Sequence, residues 1–220
     1  MASVPVGQLN APQPGPDVIG RVRDSGSSSH PYPASPELLS GPGAARNLAD
    51  AIHFLCALHG RHPGVIELVA TRTIEPPARA WLHEAAEAFG RERAYLARLA
   101  VEAGPLPATP GSGSEAALAM QRGAIMTLAQ SERRGCAIGA AIALAADWAV
   151  IRSVLDTAAA RFSVAVPRSW FGDDAGLRPL ASTLSENASV GRALLFGAEQ
   201  VALQHRGLWD LLRARAQARG

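Results

Sequence analysis

The sequence predicts an all-α protein in which a bundle of helices follows a disordered N-terminal tail. Three observations lead to this fold class. Apolar residues recur at helical spacing from Ala44 onward. No segment of useful length alternates apolar and polar residues as a strand would. Residues 1–44 are rich in Pro, Gly and Ser without an apolar period, which is typical of a tail that cannot bury enough surface to fold.

The composition allows one folded domain and argues against nucleic acid as a partner. With 220 residues, of which 48% are hydrophobic, the chain can bury a single core. The 21 basic and 19 acidic residues leave a net charge of +2, without the large excess that binds phosphate backbones. We therefore expect a disordered tail over 1–44 and one helical domain over 45–220.

Neither a secretory signal nor a membrane span is predicted. The N-terminal residues lack a basic start followed by an apolar run. The longest apolar stretch, 136–146, ends at Asp147, well short of the roughly 20 residues that span a bilayer. We expect a cytoplasmic protein with no membrane partner.

The first half of the domain contains three predicted helices. One covers about 45–60 and is interrupted by Gly60 and Pro63, and a short one covers about 64–72. The prolines of TIEPPARAW suit a helix start, where a missing N–H costs little. The next helix therefore begins there and continues to about Ala103.

The second half is predicted to contain a broken helix, a connection and a last helix. The segment 115–162 has no proline, but at 1.5 Å per residue it is too long for one straight helix of this domain. We expect a break near the stretch ERRGCAIG or near Asp147. Residues 163–182 are predicted to be a long connection, and a capping box of Thr183 and Glu186 predicts where the last helix begins.

The stretch HFLCALHGRHPG, residues 53–64, carries four potential metal ligands at three-residue spacing: His53, Cys56, His59 and His62. A three-residue repeat drifts by about 60° per step around a helix, so only His59 falls near the centre of the apolar stripe. Residues six positions apart also rise by about 9 Å, too far to share one metal directly. The stretch therefore supplies one inward histidine.

Helical phase places one titratable side chain of each long helix on its apolar stripe: His59, Glu92, Glu132 and His205. A bare carboxylate in an apolar core is costly, so such groups are paired, protonated or bound to a cation. Two Glu and two His on facing helices are a sensible ligand set for a divalent metal. The competing interpretations are a buried hydrogen-bonded network without metal, and side chains that are not buried.

The chain resembles the ferritin-like up-down helical bundles over about 45–215, and the text around HFLCALHGRHPG also looks like small uncharacterised proteins of alphaproteobacteria. Ferritin-like di-metal proteins place Glu-x-x-His on two helices. The equivalent positions here read Glu92-Arg-Ala-Tyr95 and Glu132-Arg-Arg-Gly135, without the histidines. The resemblance implies a ferritin-like bundle and, for a metal-bound form, dioxygen chemistry at a single or altered metal site.

Three functions follow as hypotheses. The leading one is a non-catalytic helical protein whose inward Glu/His cluster is structural and which needs no cofactor. The first alternative is a metal-dependent enzyme of the oxidase or hydroxylase type, with iron or another divalent metal bound by the four inward residues. The second is a helical adaptor that recruits a partner through residues 1–44. The expected partners are further copies of the same chain, or another protein that the sequence does not identify.

Overall fold

The computed structural model describes residues 16–108, 113–169, 171–172 and 174–219, and the regular elements in those ranges are all helical. Two short 3₁₀ turns, Ser27–Ser29 and Tyr32–Ala34, accompany the α-helices. In chain order the α-helices are α1 (Val18–Ser25), α2 (Pro36–Leu39), α3 (Ala44–His59), α4 (Val65–Arg72), α5 (Pro76–Ala103), α6 (Gly113–Ala129), α7 (Cys136–Arg161), α8 (Asp174–Leu184) and α9 (Ala188–Gln217). The all-α prediction is confirmed for this part of the chain.

The predicted tail is wrong from residue 16 onward, because the segment before α3 is helical and packs in the core. Its large apolar side chains are almost fully buried: Val18, Ile19, Val22, Tyr32 and Leu38. The polar residues that suggested disorder serve as helix starts instead. The side chain of Asp17 accepts a hydrogen bond from the Gly20 N–H, and that of Ser35 from the Leu38 N–H. Residues 1–15 lie outside the described part of the chain.

The start and end signals of α3, α4 and α5 were read correctly from the sequence. α5 opens with two prolines in its first turn. The Glu67 carboxylate accepts a hydrogen bond from the Gly64 N–H at 2.9 Å and so caps α4. Gly104 follows α5 with a φ of 74°, a left-handed conformation that glycine adopts at little cost.

α7 is the central helix of the fold. It packs most extensively against α9 and also contacts α1, α3, α5 and α6. By length and composition alone α7 could cross a membrane, yet 78% of its most apolar window is buried inside the protein. Core packing therefore accounts for its apolar character.

Two glycines set the close approach of α7 and α9. A Cβ added to Gly139 would lie 2.0 Å from the Leu194 carbonyl oxygen, and one added to Gly197 would lie 2.0 Å from the Cys136 carbonyl oxygen. Each glycine faces the other helix, and the two backbones are in direct contact at these positions. Small residues at the start of α7 therefore permit close packing against α9.

The structure settles where the 115–162 segment breaks. α6 ends at Ala129 and α7 begins at Cys136, so the break falls at ERRG and not at Asp147. The preceding Gly135 has a φ of 95° and sits where a Cβ would meet the Val190 carbonyl oxygen at 2.7 Å. The chain can therefore turn into α7 against α9 only with glycine at this position.

The predicted connection 163–182 is wrong in its second half, which forms α8. Leu177, Leu180 and Ala181 recur at helical spacing and are buried, a short pattern that the prolines and glycines around it conceal. The predicted capping box is also wrong, because Thr183 lies within α8. The Asn187 side chain caps α9 instead, accepting hydrogen bonds from the Ser189 and Val190 N–H groups.

Replacing Gly139 by alanine should destabilise the protein, because the new methyl group would overlap the Leu194 carbonyl. Overpacking of this kind costs about 1–3 kcal/mol. Gly123, exposed in the middle of α6 with no heavy atom near an added Cβ, is the matched control. Gly123→Ala should stabilise by about 0.5–1 kcal/mol through helix propensity. Urea unfolding of both variants measures the difference, and two stabilised variants would contradict the close crossing.

Candidate functional site

Three of the four predicted site residues are buried as expected. The exposed fraction is 4% for His59, 2% for Glu92 and 0% for His205. The prediction for Glu132 is wrong, because this residue lies exposed on the connection between α6 and α7. Its inward placement assumed that the helical phase of α6 continued past Ala129, where the helix ends. The four residues are therefore not brought together.

A chain of hydrogen bonds joins Asp147, His205 and His59 across three helices. Oδ2 of Asp147 on α7 lies 2.7 Å from Nδ1 of His205 on α9. Nε2 of His205 lies 2.9 Å from Nε2 of His59, the last residue of α3. We refer to these three residues as the Asp147 chain. They are almost fully buried, so the chain is a polar path through the core.

Ser27 completes the surroundings of the Asp147 carboxylate. Its backbone N–H donates to Asp147 Oδ1 at 2.9 Å, and its hydroxyl donates to Asp147 Oδ2 at 2.5 Å. The Ser27 hydroxyl in turn accepts a hydrogen bond from the Trp209 indole N–H at 2.8 Å. One buried carboxylate thus fixes the N-terminal segment to α7 and α9.

The carboxylate sets the direction of the hydrogen bonds in the chain. A carboxylate only accepts, so Nδ1 of His205 carries the proton in that bond. In a neutral His205, Nε2 is then an acceptor, and Nε2 of His59 must donate to it. Neutral His59 consequently keeps a lone pair on Nδ1. No residue in the described part of the chain forms a hydrogen bond with that atom.

The environment of His59 disfavours its charged form. Burial lowers the pKa of His59 well below its ordinary value of 6.5, and positive charge on His205 and Arg93 lowers it further. His59 is therefore held in its neutral form.

The contact between the two histidines has the geometry of a hydrogen bond and not of a shared metal. Zn–N bonds of about 2.0–2.1 Å in a tetrahedral site keep two ligating nitrogens more than about 3.2 Å apart. The two Nε2 atoms here are separated by 2.9 Å. In the described ranges, no group of three or more His, Cys, Asp and Glu side chains has the arrangement of a metal site.

Glu92 belongs to a second buried cluster, between α5 and α7. Its carboxylate accepts hydrogen bonds from Arg152 Nη1 at 2.7 and 3.0 Å and from the Trp148 indole N–H at 3.0 Å. Nε of Arg152 donates to Asp156 at 2.6 Å, and the Tyr95 hydroxyl donates to the same carboxylate at 2.9 Å. Burial opposes the charge of Arg152, but the hydrogen bond to Asp156 and the charge of Glu92 outweigh it and raise the Arg152 pKa.

A third cluster surrounds Asp50 on α3. Arg215 of α9 makes a two-pronged contact with the Asp50 carboxylate at 3.1 and 3.2 Å. Nη1 of Arg219 reaches the same carboxylate at 2.5 Å. Nη1 of Arg215 also donates to the Ser114 hydroxyl at 3.0 Å, which ties α6 to α3 and α9. The exposed fraction of Asp50 is 1%, so this ion pair is buried.

The other potential ligands of residues 53–64 have separate surroundings. Nε2 of His53 lies 2.7 Å from the Gly104 carbonyl oxygen. His62 is exposed, and its Nδ1 lies 3.3 Å from Nη2 of Arg93. Burial raises the pKa of the Cys56 thiol to about 11, so this cysteine is held in its neutral form. The stretch therefore contributes only His59 to the polar core, as helical phase predicted.

A cavity of about 640 Å³ lies between α5, α7 and α8. Half of its lining residues belong to α5, and none of the three buried carboxylates is among them. A smaller cavity of about 150 Å³ includes His59 in its wall. We call it the His59 cavity. Its lining residues are Leu58, His59, Arg61, Pro63, Gly64, Val65, Phe89, Arg122 and Met126.

Sequence reasoning missed the carboxylates Asp50 and Asp147 and their partners Arg152, Arg215 and Ser27. One signal was available, because each aspartate interrupts an apolar run, LADAI in α3 and LAADWAV in α7. A charge inside such a run is costly unless it is paired. The partners follow only from tertiary structure, since Ser27 and Arg215 are far away along the chain.

A family model described as a family of unknown function (DUF6975) matches residues 22–220. The match begins within α1 and thus includes most of the N-terminal segment that packs in the core. The comparison with curated proteins and the comparison with solved structures each found no match.

The low pKa of His59 predicts that the folded protein loses stability as the pH falls from 7 to 5. Below about pH 6.5 an unfolded chain binds a proton at His59 that the folded chain does not bind, which amounts to about 1.4 kcal/mol per pH unit at most. His59→Gln keeps an N–H donor for His205 and removes this titration. Its unfolding free energy should therefore fall less steeply than that of the wild type.

Urea unfolding at several pH values measures these slopes. His59 faces His205 of α9 and lies near Arg93 of α5, while Arg61 and Arg122 line the same cavity. His83→Gln, which changes an exposed histidine of α5, should keep the wild-type slope. Equal slopes for wild type and His59→Gln would show that burial does not hold His59 neutral.

Proposed function

We propose, for this chain, which belongs to the family of unknown function DUF6975, a non-catalytic role in which the buried polar clusters hold a helical scaffold together. One observation carries the proposal. Each oxygen of the three buried carboxylates, Asp50, Glu92 and Asp147, accepts hydrogen bonds or forms an ion pair within the protein. A carboxylate whose acceptor positions are engaged in this way is a structural group and not an available base or ligand.

The clusters join parts of the sequence that are distant from each other. The Asp147 chain and Ser27 connect the N-terminal segment, α3, α7 and α9. The Glu92 cluster connects α5 to α7, and the Asp50 cluster connects α3 to α6 and α9. Removing one partner of such a buried pair typically costs about 3–5 kcal/mol, because the other charge is left unpaired. The scaffold therefore depends on all three.

The metal-dependent alternative has weaker support. Its ligand set loses Glu132 to the surface, and the carboxylate of Glu92 is engaged by Arg152 and Trp148. The adaptor alternative assigned partner recruitment to residues 1–44. From residue 16 onward those residues bury apolar side chains in the core, so they are needed for folding. The proposal accordingly includes no metal cofactor.

A ferritin-like order of the helices, a cytoplasmic location and self-association are further parts of the proposal. Phe196 and Leu203 of α9 support self-association. They lie two helical turns apart on one face, and their exposed fractions are 46% and 42%. A second copy of the chain could cover this apolar stripe.

Asp147→Asn tests the structural role. The amide keeps the shape of the side chain but loses the charge and one acceptor, so the unfolding free energy should fall by about 3 kcal/mol. Asp24→Asn, at an exposed position of α1, should change it by less than about 0.5 kcal/mol. Both variants are compared with wild type in urea, with and without EDTA, and the metal content of all three is measured.

The structural role predicts that EDTA changes none of the three stabilities. A metal-dependent protein would behave differently: wild type would contain iron, manganese or zinc at a fixed stoichiometry and lose stability in EDTA. Finding such a metal, reduced in Glu92→Gln, would overturn the proposal.

Self-association is tested by sedimentation velocity at micromolar concentration. Wild type should sediment as an oligomer and Leu203→Glu as a monomer, because a charge would be buried in the contact. Val101→Glu, at another exposed apolar position on α5, is the control and should leave the oligomer intact. A monomeric wild type at about 100 μM would remove self-association from the proposal.

A further inference from the structure

α6 presents an uncharged face to solvent. Met120 is the largest side chain on it, and its exposed fraction is 72%. The exposed sides of α5 and α9, by contrast, carry charges such as Glu87 and Arg213. A surface helix ordinarily keeps charged and polar residues outward, so an uncharged outer face is of the kind that a partner covers. The exposed residues of α6 between positions 116 and 127 are Ala116, Ala119, Met120, Gly123, Ala124 and Thr127.

The α6 face adjoins the apolar stripe of α9. Arg215 of α9 donates to the Ser114 hydroxyl of α6 at 3.0 Å. Two turns further along both helices, a Cβ added to Gly207 of α9 would lie 2.7 Å from Nε2 of Gln121. The two helices are therefore antiparallel neighbours. Leu203, which is 42% exposed, lies one turn beyond Gly207 on α9, so the stripe and the α6 face belong to one surface.

The shape of the α6 face is complementary to itself in an antiparallel arrangement. Consider two α6 helices related by a two-fold axis that passes between positions 121 and 122. Met120 of each copy then faces Gly123 of the other, and Ala119 faces Ala124. A Cβ added to Gly123 would meet no heavy atom within 4 Å, so this position leaves space for a side chain of the second copy. The alanines allow the two helices to approach closely.

The charges at the two ends of α6 match in the same arrangement. Glu115 is exposed in the first turn, and the exposed Arg72 of α4 donates to the Gln130 carbonyl oxygen just after the last turn, at 3.0 Å. Arg122 lines one cavity with Glu115 and another with Val65 of α4, so Glu115 and α4 lie on the same flank of α6. An antiparallel two-fold axis brings Glu115 of each copy beside Arg72 of the other, whereas a parallel pair would bring like charges together.

We propose that two copies of this chain pair through α6, antiparallel and about a two-fold axis, with Met120 of each copy packed on Gly123 of the other. The Phe196 and Leu203 stripe of α9 lies at the edge of this contact. The inference rests on the self-association proposed above and names the surface and orientation that produce it.

Ala124→Glu tests the contact in the full chain. Ala124 is exposed, so the variant should fold, but in the pair its charge would be buried without a partner. In sedimentation velocity between about 5 and 200 μM, wild type should form a dimer, and Ala124→Glu should raise the Kd of the dimer at least about tenfold. Ala97→Glu, at an exposed alanine of α5, is the matched control and should dimerise like wild type.

Exchanging the end charges tests the orientation. Glu115→Arg and Arg72→Glu should each raise the Kd about threefold to tenfold, because each change places like charges side by side at both ends of the contact. The double variant reverses both signs and should return the Kd to within about twofold of wild type. A partner of different sequence would not show this rescue, since its own charges stay unchanged.

The outcomes separate this contact from self-association as such. If Ala124→Glu dimerises like wild type while Leu203→Glu is monomeric, self-association stands and the α6 contact is wrong. Absence of rescue in the double variant would likewise overturn the antiparallel pair. A wild type that stays monomeric at about 200 μM would remove both the contact and self-association. The structural role of the buried clusters is tested separately, by the unfolding of Asp147→Asn.

Discussion

The burial of the Asp147 carboxylate is the constraint on which the rest of the structure depends. An isolated carboxylate loses several kcal/mol of hydration in such a place, so donors must be brought to it from elsewhere in the chain. They come from opposite ends of the sequence, Ser27 near the beginning and His205 near the end. The backbone approaches the carboxylate closely, because a Cβ added to Gly26 would lie 2.7 Å from Oδ1 of Asp147. The position of the N-terminal segment follows from the need to satisfy one charge.

The small side chains of α7 make this arrangement possible. Alanine and glycine let the neighbouring helices approach closely, so most residues of α7 from Cys136 to Leu155 are buried, Asp147 among them. Trp148 and Arg152 follow Asp147 on the same helix and point to the Glu92 cluster. One central helix thus carries the acceptor of one cluster and the donors of another. The bundle is held by apolar packing, while its register is fixed by polar contacts.

How much could be predicted from the sequence depended on whether a helix has an apolar stripe. His59, Glu92 and His205 lie on long amphipathic helices, so phase alone placed them inward. The inward placement of Glu132 failed because helical phase holds only within one helix, and α6 ends before this residue. Asp147 was not identified as a buried group because α7 has no single apolar stripe, so helical phase does not show which of its side chains face the core. The prediction of a disordered tail failed for another reason. α1 and α2 are short, and their apolar residues are buried by helices that come later in the chain.

The Asp147 chain shows that the hydrogen bonds of a buried network have a direction. The carboxylate only accepts, so Nδ1 of His205 donates to it, and the Nε2 atoms of His205 and His59 meet 2.9 Å apart. One aspartate thereby orients the imidazole of His205 toward the end of α3. Asp147 acts on His59 through His205, so a change at the carboxylate alters the contact between α3 and α9 as well as the attachment of the N-terminal segment.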